Sequence, residues 1–453
     1  MKRTRVFAAF AAGLIAVGGL SACSPGGGGG DGNDGSKGPV TVSIVEYQQT
    51  RIDSVKKIIP GFEAAMKKQG KDIKVKLISD VLNDEQFKTK ITQQLIAGQA
   101  PDLLDIGDSL VPGFAGAGYL EPIDDYLDKW DGWQHYYPQF KKTMVRQDGH
   151  IYALVHDTGV QNLFYRKDIL TKLGIDTSQP ATWDDLIARL VQVKQKTGDT
   201  PIVIPAGTAW GGGSWNEGFQ PILSGTDTKY YDLKTGKWDL KSSGFPAVFD
   251  LYDQLYSKGL LPVQDLENPN PWEPTKYKKF PAGKIQVAAQ GTWGWRFDWG
   301  PEGAAPIPDL TEKVDTWQYP ALRAGDKPFG WSGLGFGYAI PKKSEHKDAA
   351  MLLAQYLSSG TGLAEQLVAS GAAAARDDMA DVKPYSEQPK LLQAGRDLKN
   401  GVFVPTGDGA DQVSQAIASS TELILNGKAD GKAAYESFVK DATDLLGPSL
   451  VAE

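Results

Sequence analysis

The chain has 453 residues and a formal net charge of −7, with 55 acidic against 48 basic side chains. That balance argues against a nucleic-acid partner, and the length exceeds what one core ordinarily holds, so two lobes are expected. One cysteine excludes a disulfide framework, while 12 Trp, 17 Tyr and 16 Phe supply the flat apolar faces with polar edges against which sugar rings stack.

At the N-terminus, Lys2, Arg3 and Arg5 precede an apolar run from Val6 to Leu20, the layout of an export signal. The run is too short to span a bilayer comfortably. It closes on Leu20-Ser21-Ala22-Cys23, which resembles the bacterial lipobox, where cleavage before the cysteine frees its thiol to take a lipid. Residues 1–22 are therefore expected to be removed, and Cys23 to anchor the mature chain on the extracellular face of the cell membrane. Removal of the three cations takes the net charge from −7 to −10. Residues 23–39, with glycine at every position from Gly26 to Gly30, cannot bury enough apolar surface to fold and read as a tether. As a flexible coil of roughly 16 residues it would reach ~20–24 Å. No later stretch approaches the ~18 continuous apolar residues of a membrane span.

From Val40 the pattern alternates between strand and helix. Val40 to Val45 has period two, Asp53 to Lys68 has helical spacing, and Ile73 to Ile78 returns to period two, an opening βαβ unit. A helix is expected over Asn83–Ala97 with Phe87, Ile91 and Leu95 on one face and Gly98 ending it, then a short strand over Asp102–Ile106. Thr182 starts another helix with Asp185 three residues on, Leu186, Ile187, Leu190 and Val191 forming its buried stripe. A third helix follows Ser344, and the last carries Tyr435, Phe438, Val439, Ala442, Leu445 and Leu446 at helical spacing.

Five segments in order carry a family resemblance. Gly98-Gln99-Ala100-Pro101-Asp102 followed by Gly118-Tyr119-Leu120-Glu121-Pro122-Ile123-Asp124 is similar to a stretch of the extracellular solute-binding proteins of ABC importers, the group that includes maltose- and oligosaccharide-binding proteins. Leu163 to Asp168 with Pro180 to Leu186, Phe280 to Trp295, Gly335 to Lys342, and Gly427 to Asp430 agree as well, although Arg166 stands where the family usually has asparagine. The resemblance implies an α/β, two-lobed periplasmic-binding-protein-like fold whose chain crosses between lobes three times around a ligand cleft. It places residues 40–157 and 322–371 in lobe 1, and 158–321 and 372–453 in lobe 2. It further implies a monomeric, non-enzymatic lipoprotein that captures a carbohydrate, an oligosaccharide first, and hands it to the permease subunits of an ABC importer, with no cofactor. A polyol or phosphorylated polyol is the alternative solute.

Ligands of open α/β sheets lie at the carboxyl ends of strands. Glu46 and Tyr47 end the first strand, and Asp105 and Asp108 the one after Pro101. Carboxylates suit sugars because each accepts several hydroxyl hydrogens in charge-assisted bonds; otherwise Asp108 caps the next helix and Asp105 is a structural acid. Asp157 falls at the first expected crossing, as hinge or as ligand contact. Trp293 and Trp295 alternate amid small residues where the family places a stacking tryptophan. Trp210 and Trp215 flank a glycine run ahead of Glu217, either closing over the ligand or pinning the loop to the body. Trp331 opens a segment with glycine at alternate positions, and Asp408 lies where some oligosaccharide binders supply an aromatic.

Four histidines, no H-E-x-x-H, no metal-spaced cluster and no G-x-S-x-G elbow leave no catalytic or metal motif. Paired carboxylates for glycoside hydrolysis are the one enzymatic alternative, since 55 acids offer many pairs and the chemistry depends on their separation in space.

Overall fold

A computed structural model describes residues 39–453 other than 147, 227–228, 324, 334, 399–401 and 404–406; the expected signal peptide, Cys23 and most of the tether lie outside the described residues. No helix of the described residues is long and apolar enough to cross a membrane.

In β1 (Val40–Glu46), residues of both parities are buried, as in a strand covered on both faces. α1 (Gln49–Lys68) buries Ile52, Val55, Ile58, Phe62 and Met66 at helical spacing and returns the chain to β2 (Ile73–Ser79), parallel to β1 from Val40 opposite Ile73 to Glu46 opposite Ser79. The helix starts four residues ahead of the expected Asp53, because Arg51 and Ile52 are already buried in its first turn. α2 (Asp84–Ala97) begins in a reciprocal capping box between Asn83 and Gln86 and ends at Gly98, whose φ of 66° is left-handed. Phe87, Ile91 and Leu95 are buried. β3 (Leu103–Gly107) then pairs with β1 on its other side.

Further strands are β4 (Ala153–Val155), β5 (Asp157–Thr158), β6 (Val160–Arg166), β7 (Ile202–Val203), the hairpin β8 (Tyr231–Asp232) and β9 (Lys237–Trp238), and β10 (Val287–Gly291). After these come β11 (Val314–Trp317), β12 (Trp331–Ser332), β13 (Phe336–Ala339), β14 (Ala373–Ala374) and β15 (Val402–Phe403). One sheet has the order β2-β1-β3-β13-β4 and the other β15-β12-β6-β10-β7, with β11 also on β6. β13 runs against both of its neighbours, so the carboxyl ends of β1, β3 and β4 meet its amino end on one edge. Glu46, Gly107, Val155 and Phe336 mark that edge.

The second sheet lies under a large aromatic core containing Phe219, Phe245, Phe249, Tyr252 and Trp299. Helices Trp183–Thr197, Gly244–Ser257, Ala410–Leu425 and Gly431–Leu446 contribute to it. Thr182 and Asp430 cap two of them by accepting the amide protons of Asp185 and Ala433 at 3.2 and 2.8 Å. Along the last helix Phe438, Ala442 and Leu446 are buried, while Leu445 faces outward.

The chain passes from the first sheet to the second between Val155 and Val160, returns between Ser332 and Phe336, and crosses again between Ala374 and Val402. Two stretches differ from the expected lobe limits. β12 is hydrogen-bonded to β6 in the second sheet, so the return falls ten residues later than 322. Ala373, Ala375, Ala394 and Leu398 pack with Val42, Ile44 and Phe62 of the first lobe, although 372 onward was expected in the second. At the crossing itself β5 and β14 pair, Ala373 opposite Thr158 and Ala374 opposite Asp157.

Candidate functional site

A cleft of about 460 Å³ opens on the edge where the first sheet's strands end, and residues of both lobes line it. From the first lobe come Gln48, Arg51, Asp84, Asp108 and Phe336; from the second come Gln161, Asn216, Glu217, Trp293 and Trp331; Asp157 and Gly159 of the first crossing lie between. Such a volume, with a few polar groups converging beside aromatic faces, suits a small-molecule ligand.

Trp293 owes its place to two missing side chains. A β carbon on Gly159 would lie 2.7 Å from its Cζ3, and one on Gly291 only 1.8 Å away, so only glycine at both positions leaves room for the indole. The ring is half-buried and faces the cleft. Trp331 is deeper, its Nε1 donating to Ser224 Oγ at 3.0 Å while the residue still borders the cleft.

Beneath the first-lobe wall sits a buried charge cluster. Asp157 accepts the Phe336 amide proton at 3.0 Å through Oδ1 and contacts Arg51 Nη2 at 2.8 Å through Oδ2. Burial pushes the Asp157 carboxyl up, but Arg51, His156 and the Phe336 N–H outweigh it and hold the group below the usual carboxylate range. The Arg51 guanidinium also lies 3.9 Å over the Phe336 ring, and its Nη1 is 3.7 Å from Asp105. His156 Nε2 is 2.9 Å from Asp105 Oδ1. Glu46 is fully buried, and desolvation together with nearby Asp105 raises its pKa well above the ordinary value.

The expected site residues therefore divide. Trp293, Trp331, Glu217, Asp108 and Asp157 border the cleft. Asp108 is ion-paired with Arg146, and Asp157 is held by Arg51 at the crossing. Glu46 and Asp105 belong to the buried cluster instead, both fully buried, with Asp105 held between Arg51 and His156 and Glu46 beside it. Tyr47 is buried, stacks on Phe87 and donates to Asp84 Oδ1 at 2.9 Å. The Trp210–Trp215 segment is pinned rather than open: Trp210 lies under Lys276, and Trp215 packs in the aromatic core against Phe219, Tyr230 and Trp238. Trp295 faces a different cavity, of about 610 Å³, between Phe164 and Lys390. Asp408 lies in a third cavity beside Arg146 and Tyr231, its carbonyl accepting the Trp238 indole proton at 2.6 Å. Gln48, Arg51, Gln161 and Phe336 gave no signal in the sequence. A buried arginine in the first turn of α1 and a glutamine at the start of β6 are recognisable only once the sheet edge is known.

Behind Glu217 stands Asp298, buried beside Gln290 and Tyr277. Burial pushes its carboxyl up to about 6 against the pull of Lys276. A raised folded-state value means that this group's stabilisation is present below the unfolded value of about 3.9 and is lost as pH rises through about 6, about 3 kcal/mol in all. Relative to the wild type, Asp298→Asn is expected to gain stability between about pH 4 and 7 and then level off, as read from urea midpoints. A difference independent of pH would contradict this account.

Two α/β lobes, three crossings and a ligand-sized cleft on the strand-end edge define a two-lobed binding protein of the periplasmic type. The chain belongs to the bacterial extracellular solute-binding protein family, whose profile matches residues 62–394. Among curated relatives, an arabinooligosaccharide-binding protein of Halalkalibacterium halodurans is 25% identical over 289 residues, 62% of this chain and 59% of the relative, so the chain spans about three-fifths of that protein. The sugar-binding protein MalE of Xanthomonas citri superposes with a TM-score of 0.73 at 21% identity, covering 90% of this chain and 97% of that one. A cyclic α-maltosyl-1,6-maltose-binding protein of Arthrobacter globiformis gives 0.73 at 20%, covering 90% and 99%.

Proposed function

We propose that this protein is the capture subunit of an ABC importer, taking an extracellular carbohydrate, an oligosaccharide first, and presenting it unaltered to the membrane permease. The observation that supports the reading most is Trp293, seated by Gly159 and Gly291 in a cleft that also offers Asp108, Glu217, Gln161 and Asn216 to hydroxyl groups. An indole face with carboxylates and amides around it matches the apolar faces and hydroxyl-rich edges of a sugar ring. The curated relative named for arabinooligosaccharides and the superposed sugar-binding proteins support the same class. A solute touching both lobes binds the closed arrangement better than the open one, and that difference alone drives closure. Capture needs no reacting group. Cys23 carries the lipid and residues 24–39 let the monomeric body work above the outer membrane face.

The test is thermal unfolding of the tether-trimmed protein against mono-, di- and oligosaccharides. A sugar at 100 times its Kd should add about 2.7 kcal/mol of stability, and chromatography should recover it intact. Absence of any shift across the panel would remove carbohydrate as the solute, and shortened products would make the protein a glycosidase.

A further inference from the structure

Two π-helical segments face each other behind the second-lobe wall of the cleft. Ser214–Phe219 carries Glu217 and Glu273–Lys279 carries Lys276. Such turns are rare and are found frequently at functional sites. Here a side chain from each meets the other: Lys276 Nζ lies 2.8 Å from Glu217 Oε2.

The lysine is almost entirely enclosed. Its side chain is 4% exposed, whereas that of Glu217 is 27% exposed and borders the cleft. Nζ also donates to Gln290 Oε1 at 3.1 Å and sits 5.3 Å over the Trp210 ring, and the Lys276 carbonyl accepts the Trp299 indole proton at 2.8 Å. Gln290 in turn donates to Asp298. Every direction open to the ammonium is thus occupied by protein, and it does not line the cleft itself. Burying a cation between the half-open Glu217 carboxylate and the buried Asp298 gains little stability, since desolvation consumes most of the Coulombic return. What the arrangement does achieve is directional. One oxygen of Glu217 is tied down by Lys276 while the residue itself borders the cleft.

We propose that Lys276 is a positioning residue, holding the Glu217 carboxylate so that its second oxygen accepts a hydroxyl of the bound solute, and thereby selecting solutes that present a hydroxyl at this wall. The inference rests on the carbohydrate reading above. Trp210 and Gln290 support Lys276 from below and do not touch the solute.

The experiment is calorimetric titration of wild type, Lys276→Met, Glu217→Gln and the double variant with the best-binding saccharide of the thermal panel and with its mono-deoxy analogues. Wild type should lose about 10- to 100-fold in affinity for one deoxy analogue, the range of a hydrogen bond to a charged group. Lys276→Met and Glu217→Gln should each lose a comparable factor for the parent sugar, bind that analogue no worse than the parent, and show no further loss when combined. Additive losses, or retained discrimination in Lys276→Met, would overturn the proposal while leaving the carbohydrate reading intact. Absence of saccharide binding by wild type would overturn both. If Lys276→Met fails to fold, the double variant, which removes both partners of the ion pair, is compared with Glu217→Gln alone: equal affinities support the positioning role, and a greater loss in the double variant overturns it.

Discussion

Replacing Arg51 by methionine is expected to cost roughly 3–5 kcal/mol of folding stability, the penalty of leaving buried carboxylates without their cation. Asp157 and Asp105 would both lose their contact with the guanidinium, and Phe336 its stacked cation. Methionine fills most of the volume, so cavity formation adds little. The pH dependence separates this cause from loss of packing. In the wild type Asp157 is held below the ordinary carboxylate range, so its contribution is present above about pH 3.9 and disappears as pH falls through the lower folded-state value. Without Arg51 only His156 and the Phe336 N–H still oppose the burial effect, so the group keeps its proton to a higher pH than in the wild type. The gap between variant and wild type should therefore narrow as pH falls from about 7 toward about 4, as read from urea midpoints. A loss below about 1 kcal/mol, or one equal at every pH, would show that the cluster does not depend on its arginine.

Trp293→Ala is expected to weaken saccharide affinity about 10- to 100-fold, a loss typical of a central aromatic anchor. Stability should change far less, because the indole is only half-buried and fills a niche made by Gly159 and Gly291 rather than a core position. Trp295→Ala serves as the control, its ring belonging to the cavity beside Phe164 and Lys390. Calorimetry with the sugar that gives the largest thermal shift reads both variants. Equal losses, or affinity retained in Trp293→Ala, would move the stacking face elsewhere.

Local chemistry was legible in the sequence wherever the relevant partners are close along the chain. The Asn83 and Thr182 caps, the Gly98 terminus and the stripe Phe87, Ile91 and Leu95 all depend on neighbours within a turn or two. The site was legible in part. Trp293 and Trp295 look equivalent in sequence, yet a 3₁₀ turn over Thr292–Trp295 sends one ring to the cleft and the other to the reverse side. Glu46 and Asp105 sit near strand ends as ligand groups should, but their side chains turn inward to face Arg51 and His156, which come from distant segments. Trp210 and Trp215 show the limit of composition: glycines around an indole signify access or tight packing alike, and a β carbon on Gly213 would fall 2.2 Å from the Trp210 ring. The crossings were displaced because a two-residue strand such as β12 leaves no periodicity to read, its membership decided by pairing with β6.

The three crossings are not independent threads. β5 and β14 are paired, and Gly335 lies so close to Asp157 that a β carbon there would be 2.4 Å from the Asp157 carbonyl oxygen. Adjacent strands joined this way flex together, while sliding past one another would break the pairing. Turning about the paired crossings is thereby favoured over sliding of one lobe past the other. For a receptor of the proposed kind, a solute that touches both walls of the cleft would then act on the angle between the lobes rather than on their offset.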